Sequence, residues 1–323
     1  MGKIGTEDLE MRKDNQSLDV NIRNGSSVDF LLGELKNFQE IAGYIKPSSG
    51  EIPTVNGIDI YGDVIPFNGI VGGDHIIYVD FNKRYDLDHR ILVAQRQNRW
   101  DVAEKLKLNK RRAGVLVADA AGHNITDALL TAMLHQAFLT GVQYELKDNG
   151  EVTADLFEIL NNRFFNSSSI TKFITLIYGE IWDDGYFRFV DAGHPPPVVF
   201  SNKYDKLIKI CYKQIIHFPP IGTMPSGEDI DSRRYFSRLG YKKKYSVSEL
   251  NLMGQGDILF LYTDGFSEHR SEEESFYFSD RLEETLKRIK NNSARDIYLE
   301  LKEDLLKFAR PSDDLTYVVI KKV

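Results

Sequence analysis

Four places in this 323-residue sequence put an aspartate at the edge of an apolar run, beside a small or polar neighbour. Asp74 follows Gly72-Gly73 and opens the run His75–Phe81, and Asp119 closes Gly114–Ala118. Asp264 follows Asp257–Tyr262 across Thr263, and Asp313-Asp314 opens Leu315–Ile320. Taken singly, each is a turn residue, because Asp and Gly cap backbone groups wherever a strand ends. Taken together, they describe carboxylates gathered in space. Carboxylates at close range repel, and hard divalent cations with oxygen ligands relieve the repulsion, so the pattern implies Mg²⁺ or Mn²⁺. The neighbouring glycines let backbone carbonyls, water and a substrate phosphate approach closely.

The runs that carry these aspartates read as strands, as do Ile58–Ile65 and the pair Phe173–Trp182 and Tyr186–Ala192, which flank Asp183-Asp184-Gly185 as a hairpin. Helices are predicted over Asp127–Val142, Ala154–Asn166, Asp280–Ile289 and Ala294–Phe308. The stretch from Gly193 to Leu250 has little pattern. Between the strands of Asp74 and Asp119, Asp86–Arg112 interleaves apolar residues with many Lys and Arg and reads as a helical insertion, near 86–112, with a solvated face. Residues 1–26 lack apolar periodicity and read as a mobile tail. Val28, Leu31, Leu35, Phe38, Ala42 and Ile45 then form the seam of a helix over 27–47, ended by Pro47. So short a helix needs a partner surface, either its own domain or a second copy of the chain in a homodimer. The remainder, 48–323, reads as one catalytic domain.

The ordered motifs Gly72-Gly73-Asp74, Asp119-Ala120-Ala121-Gly122-His123, Ala192-Gly193-His194-Pro195-Pro196, Tyr262-Thr263-Asp264-Gly265 and Asp313-Asp314-Leu315-Thr316 resemble the metal-dependent protein phosphatases of the PPM/2C class, in their bacterial SpoIIE-like branch. The similarity runs from about Ile58 to the C-terminus. It implies an α+β fold, an αββα sandwich whose two antiparallel sheets carry a two-metal site at one edge. It also implies roles: Asp119 bridging both ions, the backbone carbonyl of Ala120 on one, Asp264 and Asp313 completing the other, and Asp74 contributing directly or through water. His123 stands where a proton donor to the leaving serine oxygen is expected, and His194 is expected to order its loop. The reaction implied is hydrolysis of phosphoserine or phosphothreonine on another protein, with relatives commonly acting on an anti-sigma-factor antagonist. Two ions lower the pKa of a water that attacks phosphorus in line, and no phosphoenzyme is needed.

Departures from the family pattern are local. Asp80 stands further from Gly-Gly-Asp than the family's second aspartate, and Asn124 replaces the glycine that commonly follows Gly-His. The rest of the composition excludes rival chemistries. The one cysteine, Cys211, leaves no disulfide or thiolate zinc cage, and His217 rather than arginine stands at the Cys-x5-Arg spacing of a cysteine phosphatase. A net charge of -7 speaks against nucleic acid as a partner. No apolar stretch is long enough for a membrane span and no signal peptide is legible, so a cytoplasmic protein is expected. Two rival functions remain: a catalytically silent phosphoprotein-binding module of the same fold, and a hydrolase of small phosphorylated metabolites.

Overall fold

The computed structural model describes residues 28–41, 43–44, 51–67, 72–122, 125–167, 172–210, 215–251 and 253–323. The chain divides into two units, Met1–Tyr44 and Ile45–Val323. In the first, residues 28–41 form a helix, α1, whose seam residues Leu31 and Leu35 are exposed together with Phe30, Leu32 and Ile41. The expected tail over 1–26 and the seam residues Ala42 and Ile45 lie outside the described residues.

The second unit is built on the strands β1 (Ile58–Ile65), β2 (Asp74–Asp80), β3 (Arg112–Ala120), β4 (Ile174–Trp182), β5 (Phe187–Ala192), β6 (Val198–Ser201), β7 (Lys206–Lys209), β8 (Ser248–Leu250), β9 (Ile258–Tyr262) and β10 (Leu315–Lys322). They pair antiparallel throughout, in two five-stranded sheets ordered β1-β10-β9-β6-β7 and β2-β3-β4-β5-β8. Side chains alternate across a strand, so each sheet presents two different faces. Ile76, Tyr78, Val115, Val117 and Ile177 meet Leu259, Leu261, Val318 and Ile320 in an apolar layer between the sheets. The opposite face of the second sheet, with Ile77, Val79, Leu116 and Ala118, packs against helices α5 (Ile125–Asp148) and α6 (Ala154–Ser167). The outer face of the first sheet, with Phe260, Tyr317 and Val319, packs against the short α8 (Tyr277–Asp280), α9 (Leu282–Ile289) and α10 (Ala294–Phe308). The order of layers is helix, sheet, sheet, helix, as expected.

Two stretches add detail. The insertion is three short helices, α2 (Phe81–Arg84), α3 (Leu87–Arg96) and α4 (Trp100–Leu108), with a single 3₁₀ turn leading into β3. It joins β2 to β3 at the end away from Asp74 and Asp119, and its apolar residues Leu87, Ile91, Val102 and Leu106 complete the α5–α6 layer. The little-patterned stretch holds β6, β7 and β8. Strands of three or four residues are too short to show periodicity in sequence.

Candidate active site

The alternation that builds the inner layer also builds the site. Reading along the inner face, β3 runs Val115, Val117, Asp119, and β2 runs Tyr78, Ile76, Asp74. In the facing sheet, β9 runs Leu259, Leu261 and on to Thr263, while β10 runs Ile320, Val318 and back to Thr316 and Asp314. All four strands therefore end, on the same face and at the same edge, in polar groups. Asp74 and Asp119 are direct partners in the β2–β3 register, which puts their side chains about 5 Å apart at Cβ. The hydroxyl of Thr263 crosses from the other sheet and donates to Asp74 Oδ2 at 2.7 Å. Asp264 opens the short helix α7 (Asp264–Ser267) directly after Thr263, and Asp313 precedes Asp314. Asp264 and Asp313 line a cavity of about 360 Å³, together with Glu268 and Ser312.

Asp313 and Asp314 do different work. The carboxylate of Asp314 is buried and accepts backbone N–H groups from the loop ahead of β2: Phe67 at 2.6 Å, Gly73 at 2.7 Å and Asp74 at 3.3 Å. It latches that loop onto β10. A side chain at Gly72 would overlap this carboxylate, and one at Gly73 would overlap the carbonyl oxygen of Gly122 and crowd that of Ala120. The glycine pair is thus required by close approach on two sides. Asp313 is half-buried, and its Oδ1 accepts the N–H of Asp314 at 2.8 Å.

The electrostatics are those of crowded acids. Burial, then Asp264 and Asp313, pushes the Asp119 carboxyl up to about 8. Burial, followed by Asp119, raises Asp74 well above the carboxylate range, and the hydrogen bond from Thr263 opposes this only in part. Asp264 is raised by loss of solvent and by Asp313. Among the described residues no group of three His, Cys, Asp or Glu side chains is arranged to hold a metal ion. The donors at this edge are carboxylates and backbone carbonyls, hard oxygen ligands of the kind that Mg²⁺ and Mn²⁺ accept.

Comparison with known proteins decides the family. The family model described as stage II sporulation protein E (SpoIIE) matches residues 109–323. The chain belongs to the SpoIIE family. It is 29% identical over 163 residues to the phosphoserine phosphatase RsbP of Bacillus subtilis (strain 168), a stretch covering 49% of this chain and 34% of RsbP. Its fold is similar to the PP2C phosphatase domain of SpoIIE from Bacillus subtilis, with a TM-score of 0.56 at 17% identity over 82% of this chain and 63% of that one. It is also similar to the SiaA-PP2C domain of Pseudomonas aeruginosa, with a TM-score of 0.56 at 16% identity over 91% of this chain and 98% of that one. The αββα sandwich is that of PP2C-type phosphatases. The chain spans about a third of the length of RsbP and less than two thirds of the SpoIIE structure.

Within this SpoIIE-family fold, Asp74, Asp119, Ala120, Asp264 and Asp313 all lie at the one edge, although Asp74 precedes the matched stretch. His123 and Cys211 lie outside the described residues. His194 is buried, its Nδ1 is 3.2 Å from the Thr175 hydroxyl, and burial pushes its pKa down to about 3, so it is a neutral ring that holds its loop to β4. His75 fills a buried strand position with Nε2 2.8 Å from Nδ1 of His135. Asp80 stands at the far end of β2, where it caps α2 through the N–H groups of Asn82 and Lys83 and accepts that of Thr54. Sequence reasoning missed two residues behind the Asp119 loop. The Lys172 ammonium donates to the fully buried carboxylate of Asp127 and, at 3.3 Å, to the carbonyl of Ala121. No signal in the sequence links them, because an aspartate in the first turn of a helix is ordinarily satisfied by the helix's own N–H groups.

Two outcomes follow from this geometry. Asp314→Asn turns an amide donor toward a cluster of N–H donors, so it is expected to lower stability by about 2–3 kcal/mol, whereas Asp313→Asn, which keeps an oxygen for the N–H of Asp314 and relieves repulsion with Asp119 and Asp264, is expected to lose less. Urea unfolding of both variants without metal checks the contrast, and equal losses would show that Asp314 is no latch. The second outcome concerns pH. Because the folded pKa of Asp119 lies above its unfolded value, the folded chain holds a proton there that the unfolded chain has lost. Stability without metal therefore falls as pH rises from the ordinary carboxylate range to about 8 and levels off above it. The difference in melting temperature, wild type minus Asp119→Asn, should decrease across that window, and a constant difference would contradict the assignment.

Proposed function

We propose that this chain is a metal-dependent serine/threonine protein phosphatase that hydrolyses phosphoserine or phosphothreonine on a cytoplasmic signalling protein. The observation that carries the proposal is the pairing of Asp74 with Asp119 at the end of the inner layer, with Asp264 and Asp313 near enough for their charge to raise Asp119. Charge crowding at Asp119 fits a site built for cations rather than for a core. When bound, two divalent ions, Mn²⁺ or Mg²⁺, lower the pKa of water and neutralise phosphoryl oxygens.

Under this reading the chain's own residues divide the work. Asp119 and the backbone carbonyl of Ala120 would hold one ion, and Asp264 and Asp313 would complete the set for the other. Thr263 fixes the rotamer of Asp74, and Asp314 keeps the β2 loop within reach of Asp119. His123 is proposed to pass a proton to the leaving serine oxygen. A SpoIIE-family chain similar to a phosphoserine phosphatase supports a phosphoprotein substrate, an anti-sigma-factor antagonist being the class proposed. No described helix is long and apolar enough to cross a membrane. The acids that a silent binding module could dispense with are all present.

Phosphate release from a phosphoserine protein should require Mn²⁺ or Mg²⁺, stop on chelation, survive alkylation of Cys211, and fall roughly 100-fold or more in Asp119→Asn. Full turnover in excess chelator would remove the mechanism. The exposed row Leu31 and Leu35 on α1 is proposed to pair two copies of the chain. Changing both to Gln should halve the mass seen by light scattering, and an unaltered mass would exclude that role.

A further inference from the structure

The cavity that begins at Asp264 and Asp313 does not end with them. It extends past Glu268 to Arg270 and Phe276, two residues that no role in the site has yet claimed. Both belong to a loop whose ends are anchored. His269 is buried, with Nε2 3.0 Å from the carbonyl of Leu305, and Tyr277 is fully buried, with its hydroxyl donating to Asp304 at 2.8 Å. Tyr277 N–H donates to the His269 carbonyl at 2.9 Å, and Arg270 and Phe276 pair as an isolated antiparallel bridge. On extended backbone neighbouring side chains point to opposite sides. Burying His269 and Tyr277 therefore turns Arg270 and Phe276 outward, where both are exposed at the cavity.

Arg270 is a cation in a cavity otherwise lined by the carboxylates of Asp264, Glu268 and Asp313. Among the described residues its guanidinium makes no ion pair and no side-chain hydrogen bond. A planar fork of donors left free beside a phosphate-hydrolysing centre is matched by phosphoryl oxygens. The anion it meets is not an acidic residue flanking the phosphoserine, because the loop tip between Arg270 and Phe276 carries the exposed run Glu272-Glu273-Glu274, which repels such a flank. At about 360 Å³ the cavity is at the small end of ligand pockets and takes a phosphorylated side chain with part of its backbone.

We propose that Arg270 positions the phosphoryl group of the substrate, clasping the oxygens that face away from Asp264 and Asp313, and that Phe276 packs against the chain bearing it. This rests on the phosphatase reading above. In the reaction the guanidinium exchanges no proton, and its work is to fix the phosphorus in line and to share charge with the phosphoryl group as it passes from the serine oxygen to water.

The test uses a fluorescein-labelled phosphoserine peptide, its unphosphorylated twin and p-nitrophenyl phosphate, with wild type, Arg270→Met, Arg270→Lys and Phe276→Ala in Mn²⁺. Anisotropy, read on rapid mixing before phosphate is released, should show that wild type prefers the phosphorylated peptide. Arg270→Met should lose that preference by roughly 10–100-fold, Arg270→Lys should recover part of it, and KM should rise for the peptide and the aryl phosphate alike. Phe276→Ala should raise KM for the peptide alone. The rise in melting temperature on adding Mn²⁺ should be unaltered in all three variants, which separates positioning from assembly of the site. A preference retained in Arg270→Met, or a Mn²⁺ effect lost along with it, overturns the proposal while leaving the phosphatase reading in place. A wild type that neither prefers the phosphorylated peptide on rapid mixing nor releases phosphate from it would overturn the reading itself.

Discussion

Like charges gathered where an apolar layer ends have to be protonated or countered, and the whole edge of this protein is organised around that constraint. The inner layer between the sheets is made of Tyr78 and branched aliphatic residues at every second position of β2, β3, β9 and β10. At the next position outward the alternation delivers Asp74, Asp119, Thr263 and the Thr316–Asp314 pair. The apolar layer gives rigidity and lowers the local dielectric. The same burial raises the carboxyls above their ordinary range. Rigidity and unsatisfied charge are thus two results of one packing pattern, and together they suit a preformed cation site.

What holds the edge in register is a set of contacts between segments far apart in the chain. Asp314 reaches the N–H of Gly73 across 241 positions of sequence, and Thr263 reaches Asp74 across 189. These bonds tie the two sheets together at the end where the apolar layer can no longer do so. Their cost in backbone freedom is borne by Gly72 and Gly73, where any side chain would collide with the Asp314 carboxylate or with the carbonyls of the Asp119 loop. At the opposite end of the second sheet, polar groups meet a different fate. Arg112 and Glu180, both buried, pair at 3.1 Å beneath Trp182, and Arg188 completes the neutralisation of Glu180. Among the described residues, Asp74 and Asp119 have no Lys or Arg within ion-pair distance, whereas Glu180 has two.

Much of this was legible in the sequence because the strands that matter are long and continuously apolar, so their ends, and the aspartates on them, could be located. β1 and α10 were placed with the bounds the structure shows, and the hairpin at Asp183-Asp184-Gly185 was fixed by its turn residues. The division of labour between Asp313 and Asp314 was not legible. Adjacent residues on a strand face opposite sides, and which one turns inward depends on register against β9 and on the loop of Phe67 and Gly73. β6 to β8 were missed because short strands take their shape from their neighbours rather than from their own pattern. The Lys172–Asp127 pair was missed because its partners are 45 positions apart and only the fold brings them together.

The central claim is that the crowded carboxylates at this edge hold protons in the place of divalent cations. Titration calorimetry of Mn²⁺ into the metal-free chain at pH 7, repeated in buffers of different ionisation enthalpy, measures both the ions bound and the protons released. The account predicts that binding releases protons, because Asp119, with its carboxyl raised to about 8, must ionise to accept a cation. It also predicts that the release disappears in Asp119→Asn. Mn²⁺ binding with no proton release in the wild type, or the same release in the variant, would contradict it.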